Sequence, residues 1–134
     1  MDDLPLWERG TPAVLCVAGP HAIPISTAVR AGPDRIVFAL GRGRETLRRL
    51  REDPRAALLV LGAGVALTAG GEVRVLAEEL RAADTVVAVE LRVLRIQDHL
   101  ADGRTEMLDG ARWRWTREGM AEAERAIVAE LERL

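Results

Sequence analysis

Apolar residues in this chain fall into short runs that mostly alternate with polar ones, the signature of strands more than of helices. Residues 14–18 (VLCVA) form one run, ended by Gly19-Pro20, which reads as a strand followed by a turn. Residues 21–30 (HAIPISTAVR) alternate loosely, Ala31-Gly32-Pro33-Asp34 is a turn signal, and residues 35–40 (RIVFAL) resume as a strand. Residues 22–40 are therefore expected to form a hairpin. Pro24 marks an edge or a bulge in it, because proline cannot donate to a strand ladder. Further strands are expected at 56–61, 65–69 and 72–77, divided by Ala63-Gly64 and by a turn at Gly70-Gly71. The longest strand covers 85–96, where Val87, Val89, Leu91 and Val93 alternate with Ala88, Glu90 and Arg92 to give a buried face and a wetter one.

Helical spacing occurs twice. Residues 44–53 place Leu47 and Leu50 on one face and stop at Pro54, a short helix between two strands. From 116 to 134, Met120, Ala123, Ile127, Leu131 and Leu134 form one stripe with Glu and Arg opposite, and Thr116 is in position to cap that helix. Residues 97–110 read as loop. Residues 112–115 (RWRW) read as a last short strand with Trp113 and Trp115 on one side, either near a ligand cleft or as core anchors remote from one. Six or seven strands joined by tight turns, with one inserted and one terminal helix, favour a small antiparallel barrel.

The 134 residues suit one domain spanning 1–134, with 49% hydrophobic and 30% charged residues. No apolar run approaches the ~20 residues that cross a bilayer. The start, MDDLPLWERG, lacks the basic-then-apolar profile of a signal peptide, so a cytoplasmic protein with no membrane partner is expected. The single cysteine, Cys16, lies in an apolar run and is expected as a small core residue. All nineteen basic residues are arginine against twenty-one acids, for a net charge of −2. That balance argues against a nucleic-acid binder, and the absence of Tyr with only one Phe argues against a stacking surface for single strands.

The charge is nonetheless unevenly placed. Six arginines lie in the fourteen positions 42–55, between two apolar runs. They are either the solvated face of the short helix or in part a grip for an anion. Leu40-Gly41-Arg42-Gly43-Arg44-Glu45-Thr46 leaves a strand, passes two glycines and enters a helix; such bends expose backbone N–H groups to phosphates. Arg42, Arg44 and Thr46 are the candidates for a phosphate, whereas Arg48 and Arg51 are expected to pair with Glu52. No Gly-rich nucleotide loop, CxxC or HExxH is present. His21 and His99 are distant in sequence, so no metal is assigned. Asp98-His99 as an acid–base pair is set aside, because neighbours on a turn rarely face one substrate.

The order strand, turn, "PISTAV", turn, "RIVFAL", Arg/Gly-rich bend, "LRRLREDPRAALLV" and long hairpin resembles the pyridoxamine 5′-phosphate oxidase-like family of flavin-binding split barrels over roughly residues 11–97. The resemblance implies a mainly β, Greek-key type split β-barrel. It implies FMN, or alternatively a deazaflavin coenzyme, at the subunit interface of a homodimer, and oxidoreductase activity on an unidentified small molecule. A non-catalytic dimer of the same fold that binds flavin or haem is the alternative. Leu50-Arg51-Glu52-Asp53-Pro54-Arg55 matches the family's tail after the short helix. Counted back from Pro54, Thr46 falls where many members carry a phosphate-binding lysine and Arg44 where they carry serine. Ser26, Thr27 and Ala28 match the strand that lines the flavin ring, and Arg30 matches a second basic contact. No catalytic residue is implied.

Overall fold

In the computed structural model, which describes residues 2–134, seven strands form one antiparallel sheet in the order β2-β1-β5-β6-β7-β4-β3. The elements are β1 (Ala13–Val17), β2 (His21–Ile25), β3 (Val29–Gly32), β4 (Arg35–Gly41), α1 (Glu45–Glu52), β5 (Arg55–Gly62), β6 (Val65–Ala77), β7 (Val86–Asp98) and α2 (Met120–Leu131). The two edge strands, β2 and β3, are consecutive in the chain, joined only by Ser26, Thr27 and Ala28. A flat sheet of seven strands would hold its edges roughly 29 Å apart, and four Cα steps reach at most about 14 Å. The sheet therefore curls until its edges meet without pairing, a split barrel.

The inward faces of the strands fill it. Leu15, Ile36, Phe38, Leu58, Val60, Val89 and Leu91 are fully buried in one cluster, and Leu47 and Leu50 of α1 close one end. A second cluster lies on the outside of the sheet, where Val37 and Ala88 face Ile127 and Leu131 of α2. β4 and the first half of β7 are thus covered on both faces. Among the described residues, no helix is long and apolar enough to cross a membrane.

Several expectations change. Residues 21–30 are not one strand: the chain breaks at 26–28, so β2 pairs with β1 through the Gly19-Pro20 turn and β3 pairs with β4. Gly70-Gly71 is not a turn but the middle of β6. There the register against β7 slips by one and leaves Leu94 as the extra residue. A Cβ on Gly71 would lie 1.9 Å from the Arg92 carbonyl oxygen, so only glycine fits the bulge. Cys16 is exposed, because Leu15 and Val17 take the inward positions of β1. Residues 112–115 form no strand. Thr116 caps nothing: α2 begins at Met120 after Gly119, which has φ +83° and makes no side-chain cap.

Candidate ligand-binding cleft

A cleft of about 340 Å³ opens beside the break between β2 and β3. Its walls are Ile23–Thr27, the end of β4 (Ala39–Gly41), Arg44, Trp115 and the first turns of α2. Residues at helical spacing on α2, Met120, Ala123, Glu124 and Ile127, supply one side. Ser26 Oγ donates to Glu124 Oε2 at 2.7 Å, so the break and the helix are tied across the cleft. Thr27 Oγ1 accepts from the Ala39 backbone N–H at 3.1 Å, taking the place of a backbone partner just past the end of the β3–β4 ladder. Ala28 is buried, and its carbonyl accepts from Trp7 Nε1 at 3.0 Å. Arg30 is turned away: its Nε donates to the Leu4 carbonyl at 2.9 Å.

The arginine cluster resolves into different roles. Arg42 approaches Glu79 at 3.8 Å and donates to the Glu78 carbonyl. Arg48 lies between Glu45 and Glu52, Arg49 pairs with Glu45, Arg51 with Glu78, and Arg55 with Asp53. The expected pairing of Arg48 with Glu52 is present, whereas Arg51 turns to Glu78 instead. Arg44 alone of the six has no acidic partner among the described residues, and it is the one that lines the cleft. It is also the residue before α1, where the helix start carries partial positive charge. Arg42 faces an open shelf over α1 that Arg44 also borders.

Thr46 is buried, with Oγ1 2.9 Å from His21 Nε2, so α1 is pinned to the start of β2. Glu45, 3.8 Å from His21 Nδ1, has its carboxyl pulled below the usual range, first by the hydrogen bond from Arg49. His99 bonds Thr68 at 2.7 Å while Asp98 accepts from the Leu100 N–H, so those neighbours face different partners. A larger hollow of about 460 Å³ lies between residues 6–12, the residues Gly62, Ala63 and Val65, and residues 109–111. It contains none of the candidate residues, and its Arg9 is paired with Glu132.

The structure thus brings Ser26, Thr27 and Arg44 into one cleft, sets Ala28 and Arg30 beside it, places Arg42 on the neighbouring shelf and buries Thr46. Sequence reasoning missed Glu124. Its signal was a carboxylate next to the apolar stripe, four residues after Met120.

The family profile described as pyridoxamine 5′-phosphate oxidase matches residues 8–122. The chain belongs to this family. No curated protein sequence matches it. Among solved structures, it is similar to a Listeria innocua protein named for pyridoxamine 5′-phosphate oxidase, at 17% identity and a TM-score of 0.54. That match covers 66% of this chain and 88% of the other. It is similar to an F420 reductase at 14% identity and a TM-score of 0.57, covering 67% and 91%. HupZ from Group A Streptococcus matches at 10% identity and a TM-score of 0.56, covering 76% and 90%. At these identities the likenesses establish the fold.

Proposed function

We propose that this member of the pyridoxamine 5′-phosphate oxidase family binds FMN, or a deazaflavin coenzyme, in the cleft at the β2–β3 break and serves oxidoreduction of a small molecule. The observation that carries this reading is Arg44, an arginine without an acidic partner on the wall of a half-apolar cleft. An uncompensated cation at a helix start suits a phosphate. Ser26 and Thr27 offer short polar side chains beside it, and the volume lies within the range of small-molecule sites. The likeness to an F420 reductase is in keeping with a deazaflavin. A coenzyme of either kind supplies redox chemistry when bound; this chain's residues bind it, orient it and shield it from water.

The same reading includes a cytoplasmic homodimer with the cleft at the subunit interface, so that a partner subunit completes the open side. Titration of the purified protein with FMN, the deazaflavin and riboflavin tests the assignment. Saturable binding of either phosphorylated coenzyme, with riboflavin much weaker, is the expected outcome. No binding of any of the three would overturn it and leave the haem-binding alternative, which an absorption spectrum with added haem checks directly.

A further inference from the structure

We propose that Trp115 is the platform on which the planar ring of the bound ligand lies, while Arg44 holds its anionic end. This rests on the flavin-type reading above and adds a residue and a mode of contact to it. Trp115 lines the same cleft as Arg44, Ser26 and Thr27 and remains 39% exposed. An indole left that open on a cleft wall offers apolar area that a flat ring would cover.

The ring is held in place by its neighbours rather than by its own burial. Trp113 meets it edge-on, with centroids 5.6 Å apart and planes at 85°, so at least one face of Trp115 stays clear of Trp113. Trp113 is itself anchored, its Nε1 donating to the Gly10 carbonyl at 3.2 Å. Upstream, the Met107 carbonyl accepts from the Gly64 N–H at 2.8 Å. Gly110 presses so closely on β5 that a Cβ there would come within 2.3 Å of the Leu61 carbonyl oxygen. A segment without regular secondary structure is thus fixed at three points, and an aromatic face is set beside a free cation. Ile23, Met120 and Ile127 add apolar wall nearby. A flat heterocycle with an anionic tail satisfies both features; a compact anion or a flexible aliphatic chain satisfies only one.

The test uses the full chain, FMN and the variants Trp115→Leu, Trp115→Phe and Trp113→Phe, each first checked for an unchanged thermal midpoint. A flavin stacked on indole loses its emission through electron transfer at contact, which leucine cannot supply. The wild type is expected to bind FMN with its emission largely extinguished. Trp115→Leu should weaken binding roughly tenfold to a hundredfold, the range of one aromatic stack, and the flavin bound at saturation should be bright. Trp115→Phe should recover part of the affinity with emission between the two, and it keeps the test decisive if the leucine variant does not fold. Trp113→Phe should leave the bound flavin dark. Wild-type affinity and a dark flavin in both Trp115 variants would overturn the platform and leave the cofactor assignment intact. Absence of FMN and deazaflavin binding in the wild type would overturn both.

Discussion

Arg44 differs from the arginines around it by what it lacks. Exposed ion pairs contribute little to stability, so Arg48 and Arg51, already neutralised by Glu45, Glu52 and Glu78, have little to offer a ligand. Arg44→Ala is expected to weaken FMN binding about tenfold to a hundredfold, the loss of a charge-assisted contact worth ~1.5–3 kcal/mol, with the thermal midpoint unchanged. Arg42→Ala should cost less, because Glu79 and the Glu78 carbonyl already engage that side chain, and Arg48→Ala should be neutral; parallel titrations rank the three. Glu90 is the opposite case, a buried carboxylate that both Arg35 and Arg74 clasp from neighbouring strands. Burial pushes its carboxyl up, but the hydrogen bonds from the two arginines outweigh that and hold it below the ordinary 4.5. Asp53, hydrogen-bonded by the Arg55 side chain and backbone N–H, is lowered from 3.8 to about 2. A group depressed in the folded state contributes stability above its ordinary value and loses it as pH falls through the folded one. Melting temperature should therefore drop on acidification below about 4.5. Glu90→Gln should lower stability at neutral pH by roughly 1–3 kcal/mol and flatten that acid slope, both measurable by thermal melts across pH.

Between β6 and β7 the decisive feature is the bulge. Gly71→Ala would force a methyl group against the Arg92 carbonyl and is expected to cost at least roughly 1–3 kcal/mol. Gly43, with open space around it and no left-handed φ, should accept alanine without loss; chemical denaturation of the two variants makes the comparison. The same bulge explains what was legible in the sequence. Alternation of Val87, Val89, Leu91 and Val93 marked the inward face of β7 correctly, since local pattern and burial agree there. The Gly-Gly pair read as a turn because a bulge and a turn both need residues without side chains, and only the partner strand tells them apart. The break at Ser26–Ala28 was invisible for a related reason: its cause is the closure of the sheet, a long-range event, and not a local breaker. RWRW alternates like a strand, yet residues 112–115 join no ladder; instead Trp113 is tied to the Gly10 carbonyl and Trp115 lines the cleft. Of the candidate cleft, the part built from one local bend could be read from adjacent residues, and the fold sets Arg44 of that bend on the cleft wall. Glu124 comes from the far end of the chain, and only the fold sets it there; of the two placements left open for the tryptophans, the fold puts Trp115 on the cleft wall and leaves Trp113 off it.

For the molecule as a whole, the outward apolar side chains matter first. Leu94, pushed out by the bulge, is 63% exposed, and Leu108 and Leu6 are more so. Sedimentation at micromolar concentration is expected to show a dimer, and Leu94→Glu should shift it toward monomer if that face carries the contact. A second consequence of the architecture concerns time rather than energy. β4 joins β7 from Arg35↔Arg92 to Gly41↔Val86, partners about fifty residues apart, while β1–β2, β3–β4 and β5–β6 are neighbours in the chain. The entropy of closing the long loop must be met before Phe38 and Val89 reward it, so the hairpins can flicker into place early, and the barrel must wait for this seam and for β1–β5, whose partners are also far apart in the chain. The chain should accordingly refold in milliseconds to seconds rather than microseconds. Val89→Ala should chiefly slow refolding, whereas Ile23→Ala, on the edge strand β2, should chiefly hasten unfolding, a contrast visible in the two arms of a denaturant chevron.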